Sequence, residues 1–222
     1  STTSTMDQYQ YRAVFTNAVN STTSNAVLLT VQYAPSITSQ PSSITVNAPL
    51  VASFSASAVG DPAPTVQWQL STDGGSTWNP IIGATSTTYT TPATTPLMNQ
   101  YRYRAVFTNS QGSAISNAVV LTVQYAPSIT SQPSSITVNA GSSASFSASA
   151  TIGNPAPTVQ WQLSTDGGST WNPISGATST TYTTPSTTSS MDQYQYRAVF
   201  TNVVNSATSN AAVLTVQYAP SI

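Results

Sequence analysis

The chain has 222 residues and carries only four Arg and five Asp, a net charge of −1, with Lys, Glu, His and Cys all absent. That pattern excludes the clustered cations of a nucleic-acid footprint or a polybasic membrane surface, and without Cys there is neither a disulfide nor a thiolate metal site. Ser and Thr fill 73 positions and hydrophobic residues 39% of the chain, enough for a core, while no apolar run approaches the roughly 20 residues of a spanning helix.

From the N-terminus onward the chain repeats itself, which is the first property to settle because it decides the fold. Residues 1–32 match 186–217, the closing third of a repeat. PSITSQPSSITVNA begins at Pro35 and again at Pro127, PAPTVQWQLSTDGGSTWNPI at Pro62 and Pro155, and GATSTTYTTP at Gly83 and Gly176. VQYAPSI ends at Ile37, Ile129 and Ile222. Tyr33 and Tyr125 are 92 residues apart and Tyr125 and Tyr218 93 apart, the extra residue lying where Ala58-Val59-Gly60 becomes Ala150-Thr151-Ile152-Gly153. We expect a partial repeat over 1–32, complete repeats over 33–124 and 125–217, and the start of another over 218–222. The expectation is a piece of a longer tandem array.

Within a repeat the elements read as strands. Apolar residues alternate in Ala144–Ala150, in Val159–Leu163 and in Tyr194–Phe200, the period of a half-buried strand. Turn signals separate these runs at Gly153-Asn154-Pro155, Asp166-Gly167-Gly168 and Asn172-Pro173. No segment carries a 3.6-residue period. About seven short strands in about 92 residues predict an all-β sandwich in each repeat.

The spacing of these residues resembles that of tandem immunoglobulin-like domains of the intermediate set, found in large bacterial surface and extracellular proteins. In that family a strand B Cys precedes the strand C Trp by about 13 residues; here Ala148 precedes Trp161, with Gly153, Pro155 and Pro157 leading into strand C. The strand F pattern D-x-G-x-Y-x-C-x-A-x-N-x-x-G appears as Asp192, Tyr194, Tyr196, Ala198, Phe200, Asn202 and Asn205, and in the preceding repeat as Asn99, Tyr101, Tyr103, Ala105, Phe107, Asn109 and Gly112. Both Cys slots hold Ala, so the resemblance implies a sandwich without its inter-sheet disulfide. It also implies that 1–32 supplies only closing strands F and G. A fibronectin-type sandwich is the alternative fold, but it places its Trp on strand B. Expected core anchors are Trp68, Trp161, Phe54, Phe146, Tyr103, Tyr196, Phe107 and Phe200. Tyr196 falls at the family's tyrosine corner, which implies a hydroxyl bond to nearby backbone. Trp78 and Trp171 either cap the core edge or stand exposed as contact residues.

Chemistry is sparse. Without His, Cys, Lys or Glu most acid, base and nucleophile roles are closed. Asp73 and Asp166 open D-G-G turns, where Asp bonds its own backbone; Asp7 and Asp192 fall at the strand E–F corner, and Asp61 precedes strand C. No loop has a second carboxylate for an acid/base pair or a Ca²⁺ site. We therefore expect no enzyme activity, cofactor or metal. Arg12, Arg102, Arg104 and Arg197 point outward by alternation, beside Gln67, Gln69, Gln160 and Gln162. That face is a solvated surface, a self-association face between copies, or a ligand face. Low charge removes the repulsion that normally keeps domains apart. Asn20-Ser21-Thr22 is a sequon for N-glycosylation at Asn20, and the Ser/Thr content suits O-linked sugar. Pro35, Pro127 and Pro220 stiffen the junctions, so each repeat should extend a rod by roughly 35–45 Å. The expected protein is a non-catalytic extracellular array forming a stalk, fibre or filament, its partner a copy of itself. The alternatives are an adhesin recognising carbohydrate or a surface protein, or the spacer domains of a larger secreted enzyme.

Overall fold

The computed structural model describes residues 3–219; Ser1, Thr2 and most of the expected third opening, Pro220–Ile222, lie outside the described residues. The chain falls into two compact units, and their boundary, between Thr122 and Val123, falls within the last strand of the first complete repeat. The first begins with β1 (Gln10–Tyr11), β2 (Val14–Thr16), β3 (Ser21–Thr23) and β4 (Val27–Leu28). It continues with β5 (Tyr33–Ser39), β6 (Ile44–Asn47), β7 (Ser53–Ser55), β8 (Ser57–Asp61), β9 (Thr65–Ser71), β10 (Asn79–Pro80), β11 (Thr88–Thr90), β12 (Arg102–Asn109), β13 (Gly112–Ile115) and β14 (Val119–Gln124). The second unit comprises β15 (Ile129–Ser131), β16 (Ile136–Asn139), β17 (Ser145–Ser147), β18 (Ser149–Ala150), β19 (Thr158–Ser164), β20 (Asn172–Pro173), β21 (Thr181–Thr183), β22 (Gln195–Thr201), β23 (Ser206–Thr208) and β24 (Ala212–Gln217). Among the described residues there is no α-helix, and hence no helix long and apolar enough to cross a membrane.

Each complete repeat is a two-layer sandwich. The larger sheet runs β10-β9-β12-β14-β6 in the first unit, with β13 also on β12, and β20-β19-β22-β24-β16 in the second, with β23 on β22. The smaller layer pairs β5 with β8 and β7 with β11, then β15 with β18 and β17 with β21. Several segments continue one another: β7 runs into β8, β13 into β14, and β5 switches sheets to become β6. Counted so, each repeat has seven strands. The switch carries buried Pro41 or Pro133, residues that cannot donate to a ladder. β16 joins the edge parallel to β24, pairing Ile136 with Leu214.

Alternation builds the core between the layers. Trp68, Ala105, Leu121 and Val123 in one repeat, and Trp161, Ala198, Ala212 and Leu214 in the other, are 0% exposed. Phe54, Tyr103 and Phe107, with Phe146, Tyr196 and Phe200, are buried beside them. Trp68 Nε1 donates to Ser86 O at 2.9 Å and Trp161 Nε1 to Ser179 O at 2.9 Å, which meets the requirement that a buried indole N–H be bonded. The tyrosine-corner expectation is corrected: no hydrogen bond engages the Tyr103 or Tyr196 hydroxyl among the described residues. The rings are held by stacking instead, Tyr103 on Phe54 at 4.7 Å and Tyr196 on Phe146 at 4.6 Å between centroids. Burial pushes both hydroxyl pKa values above the ordinary tyrosine value.

The N-terminal strands form the same hairpin without its partner layer. Gln10 pairs with Leu28 and Tyr11 with Val27, the register in which Gln195 pairs with Val213 and Tyr196 with Ala212. Tyr11 and Phe15 remain 46% and 64% exposed, whereas their counterparts Tyr196 and Phe200 are buried. Outer strand faces carry hydroxyl pairs instead of charges: Ser53 with Thr90 at 2.7 Å, Ser55 with Thr88 at 2.8 Å, Ser145 with Thr183 at 2.7 Å and Ser147 with Thr181 at 2.9 Å. Such cross-strand pairs stabilise a sheet without ions.

Candidate functional site: the outer face of the large sheet

The turn after β9 delivers a tryptophan to the outside of the large sheet. Ser71 Oγ donates to Asp73 Oδ1 at 2.7 Å and accepts the Gly75 N–H at 2.8 Å. Thr77 donates its N–H to Asp73 Oδ1 at 2.9 Å and its hydroxyl to Oδ2 at 2.6 Å. Gly74 and Gly75 take φ of +76° and +100°, a region that favours glycine. The second repeat matches it with Ser164, Asp166 and Thr170. Hydrogen bonds from Thr77 hold the Asp73 carboxyl well below the usual carboxylate range, and those from Thr170 hold Asp166 at about 2. All three acceptor contacts of each Asp serve the turn, which makes it a scaffold.

Trp78 follows this turn and lies half-buried against the outer face, neither in the core nor free in solvent. Its Nε1 donates to Gly75 O at 3.0 Å, and the Arg104 guanidinium carbon sits 4.2 Å from the ring centroid. Arg104 Nε donates to Gln69 Oε1 at 2.8 Å, its direct cross-strand partner. The second repeat holds Trp171 in the same way: Nε1 to Gly168 O at 3.0 Å, Arg197 at 4.1 Å from the ring, and Arg197 Nε to Gln162 Oε1 at 2.7 Å. Partial burial lowers the pKa of both Arg104 and Arg197, which remain cations because their ordinary value is so high.

The other proposed face residues divide. Gln67 Nε2 donates to Trp68 O at 2.9 Å and Ile81 O at 2.8 Å, and Gln160 Nε2 to Trp161 O at 2.8 Å and Ile174 O at 2.8 Å. These amides fasten β9 and β19 to the chain that follows. Arg102 flanks the first cluster, and Gln195 takes its place in the second. Arg12 is exposed on the N-terminal hairpin, which carries no Trp of its own. Asn20 is exposed in the turn between β2 and β3, its Oδ1 accepting the Ser21 N–H at 2.7 Å. Asp7 and Asp192 accept the N–H of Val31 and Val216, each at 2.8 Å. Among the described residues no group of three or more His, Cys, Asp or Glu converges. A recess of about 280 Å³ beside Ile152, Val159 and Phe200 has a mostly apolar lining, without the convergent polar groups that orient a ligand.

A second feature is absent from the expected site residues. Asn109 Nδ2 donates to Tyr33 O at 2.9 Å and Pro62 O at 2.8 Å; Asn202 Nδ2 donates to Tyr125 O and Pro155 O, each at 2.8 Å. One side chain thus ties the entry of each repeat to two loops. Gly60 and Gly153 leave room for it: a Cβ at Gly153 would stand 2.7 Å from Asn202 Nδ2. The Asn of the strand F pattern marks both positions.

Seven strands, two layers and this outer face define tandem immunoglobulin-like β-sandwiches. The chain belongs to the family described as "Domain of unknown function (DUF8696)", whose profile matches residues 35–125 and 128–218. It is similar to Endoglucanase C of Cellulomonas fimi, 46% identical over 188 residues, which are 84% of this chain and 16% of that protein. The chain therefore spans about a sixth of that relative. In fold it is similar to the crystal structure of DIP-gamma IG1+IG2, with a TM-score of 0.62 at 16% identity over 83% of this chain and 98% of that one. It is likewise similar to the N-terminal four Ig domains of Dscam1 isoform 7.44, with a TM-score of 0.59 at 22% identity over 89% of this chain and 51% of that one.

Proposed function

We propose that this chain is a non-catalytic structural segment of a larger bacterial protein that works outside the cell, a stalk or spacer in which repeated sandwiches provide reach. The observation that carries the reading is one unit used twice. Both repeats reuse the same core, Asp turn and Asn clamp. The similarity to an endoglucanase over 16% of its length supports a module beside catalytic machinery. The parallel pairing of β16 with β24 supports the intermediate-set form. Pro35 and Pro127 restrict the chain at the repeat junctions. Assembly into a filament through the outer Gln/Arg face is the more specific form of the same reading.

Single-molecule stretching tests it. Each matched repeat covers 91 residues; at up to ~3.6 Å per residue, less the folded length, unfolding should release about 300 Å of chain per step. Two equal steps at forces well above those of a random coil are expected. A featureless extension would overturn the structural role. Electron microscopy of the same material separates forms: continuous fibres for the filament, isolated rods for the spacer.

A further inference from the structure

We propose that the outer sheet face carries a saccharide-binding platform in each complete repeat, centred on Trp78 and on Trp171. The four tryptophans divide into two kinds. Trp68 and Trp161 are 0% exposed and build the core. Trp78 and Trp171 stay half-buried on the outside, in the same position twice, where they add nothing to packing between the layers. Each is fixed before any ligand arrives, by its N–H on the Gly75 or Gly168 carbonyl at 3.0 Å and by a guanidinium 4.2 or 4.1 Å from the ring. Preorganisation of this kind lowers the cost of binding.

The flanking groups suit a pyranose. An indole offers apolar surface to the C–H face of a sugar ring. Arg104 and Arg197 bond Gln69 and Gln162 through Nε, which leaves the Nη donors of a planar fork for ring hydroxyls. Gln69 and Gln162 supply amides that both donate and accept, so an equatorial hydroxyl finds complementary partners beside the ring. The turn leaves the flank open: a side chain at Gly75 would stand 3.8 Å from Trp78 Cζ2 and 3.7 Å from Arg102 Nη1. With nine charged residues in 222, the surroundings favour a neutral polysaccharide. The two platforms differ in one respect. Arg102 adds a second cation to the first, while Gln195 takes that place in the second, so a uronate-bearing chain should prefer Trp78 and a neutral chain should use both. Two sites on one chain add avidity for a polymer. A second copy of this chain is the competing occupant of the face.

The test is an NMR titration of the 222-residue chain, following the four indole N–H signals. The probes are cello-, xylo- and chito-oligosaccharides of six sugars and an oligogalacturonate. The expected result is movement of the Trp78 and Trp171 signals with at least one neutral probe, while Trp68 and Trp161 stay still. Affinity should fall about 10-fold or more in Trp78→Ala/Trp171→Ala. Arg104→Lys/Arg197→Lys, which keeps the charge and loses the fork, should weaken binding with an unchanged melting curve. Three results would overturn the proposal: no indole shift with any probe, equal binding by the double Ala variant, or shifts that follow protein concentration and dimerisation instead of sugar. None of these outcomes bears on the stretching experiment, so the structural role and the platform fail separately.

Discussion

Replacing Asn202 with Ala should destabilise the second repeat out of proportion to its position near the surface. The side chain donates to Tyr125 O and Pro155 O at 2.8 Å and accepts the N–H groups of Val204 at 3.0 Å and Asn205 at 3.2 Å. The Tyr125 and Val204 bonds are partly buried, so their loss costs about 1.5 kcal/mol; the Pro155 carbonyl and the Asn205 N–H are exposed and recover water, adding about 0.5 kcal/mol together. A loss of about 2 kcal/mol in a repeat of this size lowers the melting temperature by roughly 8–16 °C. Asn202→Asp should cost at least as much, since it keeps both accepted bonds but turns an oxygen toward each carbonyl. Differential scanning calorimetry of the chain with either substitution reads the effect. If the Ala variant melted within about 2 °C of the unaltered chain, the clamp would hold nothing, and Asn202 would count as an ordinary surface residue.

Gly153→Ala should cost more than Gly60→Ala, because the added Cβ meets atoms at 2.7, 3.0 and 3.1 Å in the second repeat and at 3.0, 3.3 and 3.4 Å in the first; chemical denaturation ranks the two. Phe146→Ala removes a buried ring stacked at 4.6 Å on Tyr196 and should cost about 3–5 kcal/mol in urea unfolding, whereas substitution of exposed Val203 should be nearly silent. Acid should weaken the turns by a defined sign. The Asp166 carboxyl is held at about 2 in the fold, below the ~3.9 of an unfolded Asp. Its contribution is therefore complete above pH ~4 and is lost as the pH falls through the folded value. An NMR titration should find that midpoint, and Thr170→Val should move it upward; an unmoved midpoint would show that Thr170 is not the cause.

Most of the fold was legible because two periodicities agree. The 92- and 93-residue repeat marks the units, and the two-residue alternation of VQWQL and YRYRAVF marks which side chains face in. Gln69 and Arg104 read as outward for the same reason that Trp68 and Ala105 read as inward. Trp78 had no such signal. It follows a turn, where alternation carries no meaning, and the guanidinium it packs against lies 26 residues further on. Tyr89 and Tyr182 were missed as core members for a related reason: a lone aromatic in TTYTT, flanked by Thr, gives no apolar pattern. The Tyr196 hydroxyl bond implied by family resemblance is not formed, and the ring is stacked on Phe146 instead.

Those overlooked tyrosines explain how a sandwich of this kind dispenses with its disulfide. Ala148 and Ala198 are buried where the family's cysteines stand, and loss of the bridge removes about 2–4 kcal/mol. Around the vacated place four rings close a circuit: Phe146 with Tyr196 at 4.6 Å, Tyr196 with Tyr182 at 5.6 Å, Tyr182 with Trp161 at 6.3 Å and Trp161 with Phe146 at 6.5 Å. Phe146 and Tyr182 belong to the small layer and Trp161 and Tyr196 to the large one. Every contact of the circuit therefore crosses between the layers, as the disulfide would. At about 0.5–1.5 kcal/mol each beyond their buried area, four such contacts match what the bridge supplied. The clasp is distributed, so its parts can be removed singly. Tyr182→Leu keeps an apolar side chain yet breaks two of the four contacts, and should cost about 1–3 kcal/mol. A loss no larger than that of an exposed substitution would mean that the rings merely fill space, and the layers would then have to be held by aliphatic packing alone.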